Sequence, residues 1–153
     1  MLATPTVFKL VTGSAESISP LNAFDQALLE AGAGNVNLLK VSSILPPGAV
    51  YDEKVSLPPG SLVPVAYGTL TSSKPGATIA AAVGVGIPED GFGVIMEYSG
   101  QVSKKEAEEI IIGMVKEAFQ IRNLKLIKCL VKAVEHQVIE NGSVFAGVIL
   151  WYD

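Results

Sequence analysis

The run Ala77 to Ile87 constrains this chain more than any other stretch. It is apolar nearly throughout and stops at Pro88-Glu89-Asp90, well short of the roughly 20 residues that a membrane-spanning helix needs. It reads as a buried strand, so the rest of the chain must cover it. The composition permits that. Of 153 residues, 49% are hydrophobic and 17% charged, which is enough apolar surface for one packed core and too little charge for a disordered chain. A single domain over residues 1–153 is the expectation. Met1 to Val11 lacks the continuous apolar stretch of a signal peptide, and a cytoplasmic location is expected.

Local signals divide the chain into strands and two helices. Val7 to Val11 is β-prone and leads into Gly13-Ser14-Ala15-Glu16-Ser17, read as a loop. Ser19 stands as an N-cap with Pro20 behind it, and Leu21, Phe24, Leu28 and Leu29 recur at helical spacing until Gly32. Asn22, Asp25 and Gln26 take the other face. From Asn35 the period becomes two, with Val36, Leu38 and Lys40 on one side of a strand that runs into Ser42-Ser43. Pro46-Pro47-Gly48 and Pro58-Pro59-Gly60 break the ladders that follow. Leu62 to Leu70, Ile79 to Ile87, Phe92 to Tyr98, part of Leu126 to Ile139 and Val144 to Trp151 read as strands, with Asn141-Gly142 as a hairpin turn. Ser103-Lys104-Lys105-Glu106 is a capping box opening a helix whose stripe is Ala107, Ile110, Ile111, Met114, Val115, Ala118 and Phe119. About six or seven strands and two helices imply an α+β fold, with helices covering mainly antiparallel sheets.

Most catalytic kits are absent. One Cys (Cys129) and one His (His136) exclude a disulfide framework and a multi-ligand Cys/His zinc site. Their odd spacing on one strand puts them on opposite faces, which argues against a nucleophile–base dyad. A formal net charge of -4 argues against a nucleic-acid groove. Gly32-Ala33-Gly34 follows a helix and precedes a strand, the reverse of a dinucleotide fingerprint, so Gly32 reads as a C-cap; Gly84, Gly86, Gly91 and Gly93 read as a turn. Asn141-Gly142-Ser143 matches a glycosylation acceptor, but the hairpin explains it. Asp25, Glu89, Asp90, Glu97 and Glu135 are the carboxylates to consider, and no pair has metal-ligand spacing, so no metal is expected. Glu97, read as closing the apolar strand Gly93-Val94-Ile95-Met96, is placed for a desolvated carboxyl of raised pKa. Ser42-Ser43, on spacing alone, is a cap and a turn residue.

The strings around those serines change that reading. Asn22-Ala23-Phe24-Asp25-Gln26-Ala27-Leu28-Leu29, Gly34-Asn35-Val36-Asn37-Leu38 and Val41-Ser42-Ser43-Ile44-Leu45-Pro46-Pro47 closely resemble the pyruvoyl-dependent arginine decarboxylases. Ile95-Met96-Glu97-Tyr98, Ser103-Lys104-Lys105-Glu106-Ala107-Glu108 and Leu150-Trp151-Tyr152 extend the resemblance, in the family's order, over nearly the whole chain.

The resemblance implies an αββα sandwich assembled into homotrimers with sites between subunits. It implies self-cleavage between Ser42 and Ser43 into residues 1–42 (the β chain) and 43–153 (the α chain), with Ser43 becoming a covalent pyruvoyl group. It further implies decarboxylation of L-arginine to agmatine on the way to polyamines, with Glu97 as proton donor, Asn37 assisting cleavage and Asp25 binding the guanidinium. Pyridoxal phosphate is not required, since the pyruvoyl group takes its place. Two alternatives stay open at this point: a pyruvoyl decarboxylase of another amino acid, and an uncleaved trimeric binding protein.

Overall fold

Both helices begin where local hydrogen bonding says they should. In the computed structural model, which describes residues 2–153, α1 (Pro20–Glu30) starts with Ser19 Oγ accepting the Asn22 N–H at 3.2 Å. It ends before Gly32, whose φ of +79° is the left-handed conformation that favours glycine, while the Ala33 N–H returns to Leu28 O at 2.9 Å. In α2 (Lys104–Ile121) Ser103 Oγ accepts the Glu106 N–H at 3.1 Å. A cap is worth about 1 kcal/mol, whereas each fully buried Ile, Val or Phe contributes roughly 1.5–3 kcal/mol. With Ile111, Val115 and Phe119 all buried, packing rather than capping dominates the stability of α2.

The strands are β1 (Val7–Ser17), β2 (Asn37–Lys40), β3 (Ile44–Leu45), β4 (Val50–Tyr51), β5 (Leu62–Ser72), β6 (Thr78–Ile87), β7 (Gly93–Gly100), β8 (Lys128–Gln137) and β9 (Asn141–Trp151). They form a five-stranded sheet ordered β2-β5-β9-β1-β4 and a four-stranded sheet ordered β3-β7-β6-β8. Pairing is antiparallel apart from β2 with β5 and β1 with β4. The two sheets bury Ile79, Ala81, Val83, Val85 and Ile95 against Ala146, Val148 and Leu150. The outer face of the first sheet packs on α1 through Val65, Phe145 and Ile149. That of the second packs on α2 through Ala80, Ala82 and Val94. The result is the four-layer αββα sandwich of an α+β protein, and β6 is its covered central strand.

Several local expectations give way to pairing. Gly13 to Ser17 is strand, because β9 supplies partners as far as Ser17↔Asn141. Asn141-Gly142 lies within β9, buried, and the chain turns at Val138 to Glu140 instead, since β8 and β9 belong to different sheets. Gly84 and Gly86 are not a turn. They lie in β6, and a Cβ on either would collide with Ile111 or with Phe119, so they set how closely α2 can dock. Leu21 and Leu29 are 74% and 48% exposed; α1 buries Ala23, Ala27 and Leu28 instead, a face small enough to sit close on β1.

A Glu–His contact bridges the two sheets. Glu16 on β1 accepts from His136 Nε2 on β8 at 2.7 Å, from the Ile139 N–H at 2.8 Å and from the Glu140 N–H at 3.0 Å. A Cβ at Gly142 would crowd both Glu16 and His136. Desolvation acts to raise the Glu16 pKa, but the two backbone donors and His136 outweigh it and lower it to about 2. A folded pKa below the unfolded value of 4.5 contributes stability that is complete above pH 4.5 and is lost as pH falls toward about 2. Thermal melts across pH 2 to 6 are expected to show this loss in the wild type and a flatter profile in Glu16→Gln.

Candidate active site

Ser42 and Ser43 lie where the chain passes from one sheet to the other. The Asn37↔Leu62 to Lys40↔Val65 register holds β2 along β5, and the Val41 N–H extends it by donating to Val65 O at 3.0 Å. Three residues later the chain is in β3, paired Ile44↔Val94 and Leu45↔Gly93 with β7. One step before β3, the Ile95 N–H donates to Ser43 O at 2.6 Å. The Ser42–Ser43 peptide is therefore tethered on both sides, to a different sheet on each. Ser42 is exposed and Ser43 half-buried. Beside Ser42 opens an apolar groove of about 300 Å³ lined by Leu39, Val41, Ile44, Leu62 and Pro64.

Glu97 lies two residues beyond Ile95 on β7, about 7 Å along the strand. It is a mid-strand residue, paired with Val83, and does not close the strand as its sequence neighbours suggest. Alternation puts it on the same face as Ile95, toward the interior between the sheets, while Met96 and Tyr98 face α2. Its Oε2 is buried and has no hydrogen-bond partner. Burial raises the pKa of the Glu97 carboxyl, against the pull of the Lys40 ammonium, so the protonated acid is favoured. Lys40 itself sits over the Tyr67 ring, 4.8 Å from its centroid. Just past Glu97, Ser99 Oγ donates to Thr69 O at 3.1 Å, and the Gly68 backbone comes so close to Tyr98 that a Cβ would lie 2.9 Å from Tyr98 O. β5 and β7 converge there and wall off that side of the carboxyl.

The other candidate residues are placed apart from this cluster. Asp25 is exposed on α1, with Leu21 and Leu29 one turn to either side on the same face. Asn37 opens β2, its Nδ2 donating to Gly60 O at 3.2 Å, and the extended chain puts it about 13 Å from Val41. Within one chain it does not reach the Ser42–Ser43 bond. Cys129 packs toward α2 while His136 faces Glu16, so the two form no dyad. Among the described residues, no three His, Cys, Asp or Glu side chains converge as a metal site would need, and no helix is long and apolar enough to cross a membrane. Sequence reading singles out neither Lys40 nor Ile95 for the site. A backbone N–H has no residue signature, and a lysine near the end of an edge strand is unremarkable until pairing brings it near a half-buried acid.

A serine pair tethered across two sheets, with a half-buried acid two residues beyond the strand partner of Ser43, can support acyl transfer at the peptide bond and proton donation beside it. The comparisons agree with the resemblance of the motifs. The family model described as pyruvoyl-dependent arginine decarboxylase (PvlArgDC) matches residues 7–149. A curated protein of that name from Methanocaldococcus jannaschii is 51% identical over 150 residues, covering 97% of this chain and 91% of the relative. One from Thermococcus sibiricus is 46% identical over 126 residues, covering 80% of each. One from Pyrococcus abyssi is 38% identical over 152 residues, covering 97% of this chain and 96% of the relative. The chain belongs to the pyruvoyl-dependent arginine decarboxylase family.

Proposed function

We propose that this chain decarboxylates L-arginine to agmatine and CO2, with a pyruvoyl group that it makes from Ser43 by cutting the Ser42–Ser43 bond. The observation that carries the reading is the juxtaposition on β7: Ile95 anchors the Ser43 carbonyl, and two residues on, Glu97 holds a buried carboxyl oxygen with no partner. That oxygen is left for a group the folded chain does not itself supply.

Cleavage begins when Ser43 Oγ attacks the Ser42 carbonyl carbon and the acyl group moves from the Ser43 nitrogen to its oxygen. Exchanging an amide for an ester is uphill, so the bond must be held in place. The tethers to Val65 and Ile95 support that requirement. β-Elimination then releases Ser42 as a carboxylate, and hydrolysis of the remaining dehydroalanine releases ammonia. Residues 1–42 and 43–153 would stay together, because β1 pairs with β9 and β2 with β5 across the two pieces. Asn37 is the proposed donor to the oxyanion, presented by a neighbouring copy in a homotrimer with sites between subunits. The exposure of Leu39, Ile44 and Leu62 around Ser42, at 41%, 43% and 62%, supports a covering partner there.

A pyruvoyl group supplies a conjugated carbonyl that takes up the electron pair left when an α-carboxylate departs as CO2. No metal and no pyridoxal phosphate enter this scheme. Glu97, whose pKa burial raises against the pull of Lys40, returns a proton to the substrate's α-carbon. Asp25 pairs with the planar guanidinium through two parallel hydrogen bonds, and the flanking Leu21 and Leu29 cover the methylene arm. Agmatine would enter polyamine synthesis in the cytoplasm.

Denaturing mass spectrometry of the purified protein is expected to give two chains, residues 1–42 and 43–153, and Ser43→Ala a single inactive one. An intact wild-type chain that binds ligand and releases no CO2 would sink the reading in favour of a binding protein. Glu97→Gln is expected to give two chains with turnover down by about 10²–10⁴-fold. In the wild type kcat falls on the alkaline side, as the raised carboxyl finally ionises. Asp25→Ala is expected to lose about 10–100-fold in kcat/KM for arginine, the worth of a charge-assisted hydrogen bond. A substrate panel in which another amino acid is turned over better than arginine by the wild type would reassign the substrate.

A further inference from the structure

The carbonyl oxygen of residue 43 is held by a donor that does more than join two strands. The Ile95 N–H meets it at 2.6 Å, a close N–H···O approach. The donor cannot readily swing away. Ile95 is fully buried, and its own strand is locked on the far side by β6, through Val85↔Ile95. The geometry points to the Ile95 backbone N–H as a catalytic donor that stabilises negative charge on the residue-43 carbonyl oxygen during self-cleavage. This inference rests on the self-cleavage reading above.

The electron flow of the elimination explains why the position matters. After the acyl shift, residue 43 carries a free amine and its Cβ–O bond joins the Ser42 ester. The residue-43 Cα–H bond breaks, and its proton passes to a water molecule acting as base. The freed pair forms the Cα=Cβ bond, while the Cβ–O bond breaks and its pair leaves on the Ser42 carboxylate. An α-proton can be lost at a useful rate only if the charge developing at Cα spreads onto the adjacent carbonyl oxygen. That oxygen is the one the Ile95 N–H holds, in a buried strand where no donor needs to reorient as charge builds. The attacked carbonyl of Ser42 is a different oxygen, so this donor acts on elimination and leaves the acyl shift alone. The same oxygen stays beside the ketone in the mature chain, still facing the same N–H.

The test replaces the Ile95 backbone N–H with an ester oxygen, using the α-hydroxy acid counterpart of isoleucine so that the side chain is kept. A control ester is placed at Leu45, which pairs with Gly93 two positions along the same ladder. Cleavage is followed by denaturing mass, with hydroxylamine added to trap any Ser42–Ser43 ester. The Ile95 ester is expected to slow formation of the 43–153 pyruvoyl chain about 100-fold. It should also accumulate a hydroxylamine-sensitive intermediate that releases residues 43–153 with an amino-terminal serine. The Leu45 ester should cleave at close to the wild-type rate. Wild-type cleavage by the Ile95 ester, or equal slowing by both esters, would overturn the inference and reduce the contact to a ladder bond. An intact wild-type chain would overturn the self-cleavage reading along with it.

Discussion

Two backbone hydrogen bonds, Val41 N–H to Val65 O and Ile95 N–H to Ser43 O, hold the chain as it steps from one sheet of the sandwich to the other. A segment crossing between sheets can complete its ladder with neither, and would ordinarily be a mobile edge connection. Here both shoulders of the step are paired, so the Ser42–Ser43 peptide between them is confined without being covered. The remaining geometry of the site depends on that confinement. It sets which strand the serines face, which residue of that strand touches Ser43, and which side chain comes two residues later on the same face.

That side chain is the half-buried Glu97, and its environment comes from the sandwich rather than from its own strand. A carboxylate moved from water into an apolar interior loses several kcal/mol of solvation unless it is paired, so a partnerless Glu97 favours the proton. The convergence of β5 on β7, through Ser99 with Thr69 and the close pass of Gly68 by Tyr98, keeps water from one side. Lys40, held over Tyr67, works the other way.

At the opposite end of the sandwich, Glu16 shows how much context decides what a glutamate does. It also lies on a strand and faces the second sheet, but it meets two backbone N–H groups and an imidazole, and its pKa falls instead of rising. The two residues have the same side chain. Satisfaction by donors in one case and their absence in the other separates a lowered carboxyl pKa from a raised one.

Both helices, their caps at Ser19 and Ser103, the stop at Gly32 and the buried run of β6 were legible in the sequence, because each depends on residues within a turn or on a simple period. So was the family, carried by the strings around Asp25, Ser42-Ser43 and Glu97, which the match over residues 7–149 bears out. Gly13 to Ser17 and Asn141-Gly142 could not be read locally: their turn-like composition yields to ladder pairing between segments more than a hundred residues apart. The same holds for the site. By itself the sequence determined which residues carry hydroxyl, carboxyl and ammonium groups, and where helices begin and end. Only the tertiary structure decided that the serines sit on a sheet-to-sheet step, that Ile95 offers its N–H to one of them, and that Glu97 lies mid-strand with a dry, partnerless oxygen. The physical reason is that desolvation and backbone pairing are properties of neighbours in space, which the order of residues along the chain does not display.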